Sequence, residues 1–195
     1  MKRSEINALV RDAAAFFRAN GWTLPPNPRW DVTDFGLGDW RKSGLVLVNL
    51  ADEPEYCEKL MYARRHMLTP CHCHRKKKED IIARAGAFAV RAWPGLPSET
   101  EGQSFQLNVN GVPRDVAAGE EFAIHAGERL TMTPGLYHEF WPISSECMLG
   151  EVSTANDDVN DNFFTDPDIG RFPDIDEDEP ALLRLISDDT EPAPS

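Results

Sequence analysis

The sequence predicts a mainly β protein, and three observations support this class. Short apolar segments recur at roughly ten-residue spacing, which is typical of antiparallel sandwiches and barrels. Turns that contain glycine or proline separate these segments, for example at Ala126-Gly127 and Pro134-Gly135. Asn110-Gly111 lies between two alternating segments, 105–109 and 112–116, and is a strong hairpin signal. We therefore expect a single small β-barrel.

One helix is predicted before the strands, over residues 5–19. Ser4 is a plausible N-cap and Gly21 favours termination of the helix. Apolar residues recur at helical spacing between them: Ile6, Val10, Ala13 and Phe17. The segment that follows, to Trp40, is rich in proline and aromatic residues, so it is expected to wrap the barrel as an ordered arm.

The chain is predicted to divide into three parts. Residues 1–50 would form the N-terminal helix and arm packing on the barrel, and residues 51–186 the barrel with its site. A short helix is predicted at 180–186, because Leu182, Leu183 and Ile186 share one side. The last residues, 187–195, are polar and rich in proline, and they are predicted to form a disordered tail.

Composition excludes several classes of protein. The chain is 41% hydrophobic and 27% charged, as in an ordinary globular protein. No apolar run approaches the roughly 18 to 20 residues that span a bilayer, and no secretory signal is recognisable, so no membrane partner and a cytoplasmic location are expected. The net charge is −13, and from Gly150 onward fourteen acidic residues face two arginines. That acidity disfavours nucleic-acid binding and is interpreted as solvation of a surface or tail.

The residues most indicative of chemistry follow the pattern H-x-H-x₄-E, with His72, His74 and Glu79. In an extended strand, alternate residues share a face, which places the two imidazoles about 6.5 to 7 Å apart along the chain. Glu79 can return a carboxylate to the same place after a turn. Cys71 and Cys73 would point to the opposite face, so the sequence predicts no thiolate ligand.

A third imidazole must come from elsewhere, and His66, His125 and His138 are the candidates. His138 follows a turn that starts a strand, and it is the preferred ligand. Three imidazoles and one carboxylate suit Mn²⁺, Fe²⁺, Ni²⁺, Co²⁺ or Zn²⁺. On a six-coordinate ion these four ligands would leave two positions for neighbouring substrate oxygens.

The spacing of these residues resembles the two motifs of the cupin family. His72, His74, Glu79 and Gly86 match its first motif, H-x-H-x₃₋₄-E-x₆-G. A second motif, which ends in P-x-G-x₂-H, is similar to the segment with these residues: Gly127, Pro134, Gly135 and His138. The resemblance implies a cupin (jelly-roll) β-barrel, with the N-terminal helix and arm packed on it.

A more specific resemblance covers nearly the whole chain. Several segments recur in order as in D-lyxose isomerases, a family of cupin sugar isomerases: Met1–Asn7, Trp22–Pro26, His72–Ile82, Gly150–Ser153, Asn156–Asp158, Asp161–Phe164 and Gly170–Pro173. The resemblance implies a Mn²⁺-dependent enzyme that interconverts D-lyxose and D-xylulose, and commonly D-mannose and D-fructose. It also implies a homodimer and matches Lys77 to the family's lysine, which could polarise a sugar hydroxyl or protonate O1.

Such an isomerase needs a general base, and Glu151 is the preferred candidate. It shares a strand face with Leu149 in an apolar segment, so its carboxylate should enter the barrel and burial should raise its pKa. An exposed Glu151 and a solvated Lys77 are the alternatives. Asp158 and Asp161 are predicted to bind sugar hydroxyls, although such residues often form turns.

Two other functions use the same ligands. An Fe²⁺-dependent cupin dioxygenase would place substrate and O₂ at the open positions and would consume oxygen. A non-catalytic sugar-binding cupin would bind its ligand without turnover. The sequence favours the isomerase over both through the family resemblance.

Overall fold

The computed structural model describes residues 1–158, 160–170 and 174–189. Within them lie a long helix, α1 (Arg3–Ala19), a short helix, α2 (Pro97–Thr100), and a 3-10 helix at Ile186–Asp189. The strands are β1 (Arg29–Thr33), β2 (Leu45–Asp52), β3 (Tyr56–Arg64), β4 (Thr69–Cys73), β5 (Glu79–Ala85), β6 (Ala87–Trp93), β7 (Ser104–Val109), β8 (Val112–Ala117), β9 (Phe122–His125), β10 (Arg129–Met132), β11 (Tyr137–Pro142), β12 (Glu146–Thr154) and β13 (Phe163–Phe164). No helix in these ranges is long and apolar enough to cross a bilayer.

The strands form two antiparallel sheets. The larger has the order β1-β2-β3-β12-β5-β10-β7-β8, and the smaller has the order β13-β4-β11-β6-β9. One apolar core contains residues of both, including Leu149 of the larger sheet and Phe140 of the smaller. The mainly β class and the N-terminal helix are confirmed, but the predicted closed barrel is replaced by two facing sheets. Alternation of apolar residues could not separate the two, because both architectures bury one face of each strand.

Helix α1 covers the outer face of the larger sheet. Phe17 packs edge-on against Tyr62 of β3 and stacks on Trp30 of β1. Strand β3 is consequently buried on both faces, which explains why its sequence shows no clear alternation. Strand β1 lies in the predicted arm, and both β1 and β2 belong to the larger sheet. Strand β2 crosses residue 50, the predicted end of the N-terminal part.

The predicted ends of α1 are partly correct. Gly21 has a φ of 77°, and the amide of Trp22 donates to the carbonyl of Phe17, so the glycine termination is confirmed. The helix nevertheless begins at Arg3, one residue before the predicted cap Ser4, and its N-cap is Lys2. The amide and hydroxyl of Ser4 instead donate to Asp178, which reaches the helix from 174 residues away.

The hairpin prediction at Asn110-Gly111 is confirmed, and the terminal helix prediction is wrong. Asn110 and Gly111 both have positive φ, as the turn between β7 and β8 requires. Residues 180–184 are not helical, because their backbone hydrogen-bonds to α1. The side chain of Asn7 donates to the carbonyl of Pro180 and accepts the amide of Leu182. The 3-10 helix includes 187–189 of the predicted tail, while residues 190–195 lie outside the described residues.

Candidate metal and sugar site

Four side chains from both sheets meet between them. His72 lies on β4, and His74 directly follows that strand. His138 lies on the neighbouring strand β11, where it pairs with His72. Glu79 is the first residue of β5 in the larger sheet. Their ligand atoms all lie within 4.8 Å of one another, and all four side chains are buried. The structure thus brings together the four residues predicted as metal ligands.

The hydrogen bonds of the three imidazoles orient them toward one point. Each Nδ1 faces a main-chain carbonyl oxygen: Pro70 for His72 at 2.8 Å, Asp161 for His74 at 2.6 Å and Leu136 for His138 at 3.2 Å. A carbonyl only accepts, so we assign the ring proton to Nδ1 in each case. Each Nε2 then carries a lone pair. Burial, with the other two imidazoles, holds the pKa of His72 well below its ordinary value.

This arrangement fits a cation. Glu79 Oε1 lies 3.4 Å from His74 Nε2 and 3.1 Å from His138 Nε2, although these atoms are all acceptors in the assigned tautomers. Among the described residues, the buried His138 Nε2 has no hydrogen-bond partner. Converging acceptors of this kind are disfavoured unless a positive ion lies among them. The four residues could therefore hold a divalent metal ion.

The other predicted candidates for ligands lie elsewhere. His66 is in an exposed turn after β3 and His125 is exposed on β9. Cys73 is buried on the opposite face of β4, where it contacts Tyr137, and Cys71 also lies outside the cluster. Within the described ranges, the cluster contains no thiol, as strand alternation predicted.

Lys77 connects the ligand cluster to Glu151. Its Nζ lies 2.7 Å from Glu79 Oε2 and 3.0 Å from Glu151 Oε1, and its side chain is only 4% exposed. Lys76 and Lys78 on either side of it are exposed to solvent, so Lys77 is the buried one of these three lysines. Burial alone would lower the pKa of Lys77, but the carboxylates of Glu151 and Glu79 outweigh burial and raise it. Lys77 is therefore a buried ammonium group between two carboxylates.

Glu151 lies on the inward face of β12, as predicted, and its side chain is 7% exposed. The apolar segment predicts burial of this carboxylate but not the charged groups around it. Two lysines contact Oε1: Lys77 at 3.0 Å and Lys59 at 3.4 Å. The carboxylate of Glu151 therefore lies between two ammonium groups.

Lys59 was not identified from the sequence. It lies on β3, where Asn156 Oδ1 accepts its proton at 3.0 Å and Asp158 Oδ1 lies 3.3 Å away. Its pKa is raised despite burial, because the charges of Glu151 and Asp158 outweigh burial and the neighbouring Lys77. One signal was available: Cys57 and Met61 flank it at alternate positions and are buried, so Lys59 occupies an inward position in an apolar strand.

A cavity of about 270 Å³ lies beside these groups. Its lining combines polar residues near the ligand cluster with an apolar wall: Asp31, Thr33, Phe35, Leu45, Leu47, Lys59, Thr69, His72, His74, Lys77, Asp158, Asn162, Phe164 and Ile169. Pockets of this size accept small molecules that are mostly enclosed when bound. Asp158 was predicted to bind sugar hydroxyls, and it lines this cavity.

Asp161 does not fit the predicted role in sugar binding. Its carboxylate accepts the main-chain amides of Arg75 at 2.8 Å and Lys77 at 2.9 Å, and also that of Lys76. Burial would raise the pKa of Asp161, but these amides outweigh burial and lower it. Both oxygens are occupied by the backbone, so Asp161 organises the loop between His74 and Glu79. The sequence did not indicate this contact, because those amides lie more than 80 positions away in the chain.

Comparison with known proteins identifies the family of the chain. Residues 27–189 match the family described as D-lyxose isomerase. The D-lyxose/D-mannose isomerase of Escherichia coli O157:H7 is 34% identical, with 96% of this chain and 98% of the relative covered. The D-lyxose ketol-isomerase of Cohnella laeviribosi is 30% identical over 87% of this chain and 96% of its own.

Solved structures support the fold independently. The L-ribose isomerase of Cellulomonas parahominis superimposes with a TM-score of 0.69 at 17% identity, covering 90% of this chain and 98% of its own. That of Acinetobacter sp. DL28 gives 0.67 at 18% identity, with the same coverage. Identity this low shows a shared fold alone. The sequence relatives, by contrast, show kinship, and the chain belongs to the D-lyxose isomerase family of sugar isomerases.

Proposed function

We propose that this enzyme interconverts D-lyxose and D-xylulose, and also D-mannose and D-fructose, with a divalent metal ion. The observation that carries the proposal is the buried series of contacts from Glu79 through Lys77 to Glu151, beside a cavity of about 270 Å³. It combines a cation site, an ammonium group and a carboxylate, which are the groups that aldose-ketose isomerisation requires. The names of the sequence relatives support the same substrates.

The proposed metal ligands are His72, His74, Glu79 and His138. We propose Mn²⁺ as the ion on the basis of family membership, and the donor set is also compatible with Co²⁺, Fe²⁺, Ni²⁺ and Zn²⁺. When bound, a divalent cation supplies Lewis-acid stabilisation of negative charge on the sugar oxygens O1 and O2.

Glu151 is the proposed general base. Both lysines contact its Oε1, and among the described residues Oε2 has no hydrogen-bond partner. We propose that Oε2 removes the proton from C2 of the open-chain aldose. The electron pair of the C2–H bond forms the C1=C2 double bond, and the carbonyl electrons move to O1, which gives an enediol. Glu151 then returns its proton to C1 as C2=O forms.

Lys77 is proposed to handle the oxygen protons. Its Nζ donates a proton to O1 in the first half of the reaction and recovers one from O2 in the second half. Glu79 and Glu151 hold this ammonium group in place, because both carboxylates lie within 3.0 Å of Nζ. Lys59 and Asp158 line the cavity beside it, and we propose that they bind sugar hydroxyls.

The direct test uses EDTA-treated protein with D-lyxose, before and after addition of Mn²⁺, in D₂O. We expect D-xylulose only after metal is added, with deuterium at C1 because a carboxylate proton can exchange with solvent. No ketose from D-lyxose or D-mannose with any of the five metals would contradict the function. Ketose without deuterium would contradict proton transfer by Glu151 and favour a hydride shift.

We also propose a homodimer, on the basis of family membership. Tyr56 and Val152, which are 51% and 43% exposed, lie on the same outer face of the larger sheet. Light scattering on the purified protein measures the mass directly. A mass of 21.9 kDa at micromolar concentration would be that of one chain and would contradict the dimer.

A further inference from the structure

Asp161 connects the two loops that form the site. Its Oδ1 accepts the amide of Arg75 at 2.8 Å, its Oδ2 accepts that of Lys77 at 2.9 Å, and Lys76 donates to both at 3.1 Å. Asp161 is only 3% exposed. Three consecutive amides therefore converge on one carboxylate, in a segment that begins directly after His74 and ends two residues before Glu79.

The same residue orients a proposed ligand through its main chain. The carbonyl oxygen of Asp161 lies 2.6 Å from His74 Nδ1. This contact fixes the ring orientation of His74 and directs Nε2 toward Glu79 Oε1, 3.4 Å away. Asp161 thus restrains both ends of the ligand segment, one through its backbone and the other through its side chain.

The loop that carries Asp161 also reaches the cavity. Asp158 and Asn162 line it, and Asp158 contacts Lys59. Phe164 pairs with His72 between β13 and β4, and the two rings lie 5.3 Å apart. A displacement of this loop would therefore move groups on the cavity side and on the ligand side together.

We propose that Asp161 is a positioning residue that sets the affinity of the site for its metal ion and places Lys77. It acts through His74 and the amides of residues 75–77 and touches neither sugar nor metal. This inference rests on the proposed function, because it requires that the four ligands bind a metal ion. Residues that orient metal ligands typically change metal affinity about 10- to 100-fold when they are replaced.

Asp161→Asn is the most informative substitution. The side chain keeps its shape and one acceptor oxygen, but an NH₂ group replaces the second oxygen and would face the Lys77 amide. Two donors would then oppose each other, so the ligand loop must shift. Asp166→Asn is the matched control, because its carboxylate is exposed and its one hydrogen bond within the described residues is local, from the amide of Asp168 at 2.9 Å.

The experiment measures the Kd of Mn²⁺ for the metal-free, full-length wild type and both variants by electron paramagnetic resonance, well below their melting temperatures. We expect a 10- to 100-fold weaker Kd for Asp161→Asn and an unchanged Kd for Asp166→Asn. A folded Asp161→Asn variant with a lower Tm but wild-type Mn²⁺ affinity would overturn the inference. Wild type that binds none of the five divalent ions would instead overturn the proposed function.

A second measurement covers the case in which Asp161→Asn does not fold. Amide hydrogen exchange of the metal-free wild type reports residues 75–77 directly. Slow exchange at all three amides before Mn²⁺ is added would support a loop that Asp161 holds in place. Exchange at the rate of an unstructured peptide would show that the carboxylate does not hold the loop, and the inference would be wrong.

Discussion

Carboxylates bind cations in two distant parts of this molecule, and the contacts have nearly the same length. In the site, Lys77 Nζ lies 2.7 Å from Glu79 Oε2. At the start of α1, Arg3 Nη2 lies 2.6 Å from Glu177 Oε1. The environments differ in one partner: the side chains of the first pair are 4% and 2% exposed, whereas in the second pair Arg3 is 4% and Glu177 is 59% exposed.

Exposure, rather than distance, decides what each contact does. At the helix, water reaches Glu177 and weakens the contact, so that pair joins two segments with a smaller effect on the free energy of unfolding. In the site, water is excluded, and charges that lack their partners would be strongly disfavoured. Replacing either partner of the buried pair should therefore lower the free energy of unfolding. Buried charge pairs of this kind are typical of functional sites.

The largest effect is expected from Glu151→Gln. The amide cannot remove the C2 proton, so kcat should fall by about 10²- to 10⁴-fold, the usual contribution of a general base. Retained Mn²⁺ binding would show that the loss is chemical, and steady-state kinetics with D-lyxose measures it. Turnover equal to wild type would remove Glu151 from the role of base.

Lys77→Met breaks the buried pairs without a large change in volume. Glu79 and Glu151 would lose a shared ammonium group, so the free energy of unfolding should fall by about 3–5 kcal/mol. Urea denaturation of the metal-free protein measures this change. Lys76→Met is the control, because Lys76 is exposed, and it should leave stability nearly unchanged. Equal effects of the two variants would contradict the importance of burial.

Metal should stabilise the site region by mass action. At a Mn²⁺ concentration of 100 times the Kd, the folded state gains about 2.7 kcal/mol. Differential scanning calorimetry with EDTA and then with Mn²⁺ should show a corresponding rise in Tm. His138→Ala should abolish that rise, since it removes one of four ligands. A rise that persists in this variant would place the ion elsewhere.

The smallest effect is expected at a second contact in the first turn of α1, the exposed one between Asp178 and Ser4. Asp178→Asn weakens the acceptor for the amide and hydroxyl of Ser4, which are 2.9 Å and 2.7 Å away. We expect a lower Tm than wild type, a smaller loss than for Lys77→Met, and unchanged kcat and Mn²⁺ affinity. A changed kcat would mean that the start of α1 affects the site, which would contradict the difference between these two regions.

The sequence predicted what local spacing encodes. His72 and His74 could be placed on one face because they are two residues apart, and Glu151 because its strand alternates. Lys59 was missed because α1 covers the outer face of β3, so apolar residues on that face obscure the alternation of Cys57, Lys59 and Met61. The backbone contacts of Asp161 were missed for a related reason, since its partners are distant in the chain.

The acidic C-terminal region shows the same limit. It was interpreted as solvation, yet Glu177, Asp178 and Asp188 each bond to the first turn of α1. No pattern in residues 174–189 indicates that their partners lie at positions 3 and 4. The family resemblance narrowed the chemistry more than spacing alone could, because H-x-H patterns serve many cupin reactions.

The contact of Asp178 with Ser4 has a consequence for biosynthesis. Because the chain emerges from the ribosome N-terminus first, α1 is made before Asp178, which completes its first turn from 174 positions further along the chain. Until then, the amide of Ser4 can donate its hydrogen bond only to water, and the nascent helix lacks its contact with Asp178. Joining sequence-distant segments is also slow. The junction is therefore expected to close late in folding, after both sheets have paired.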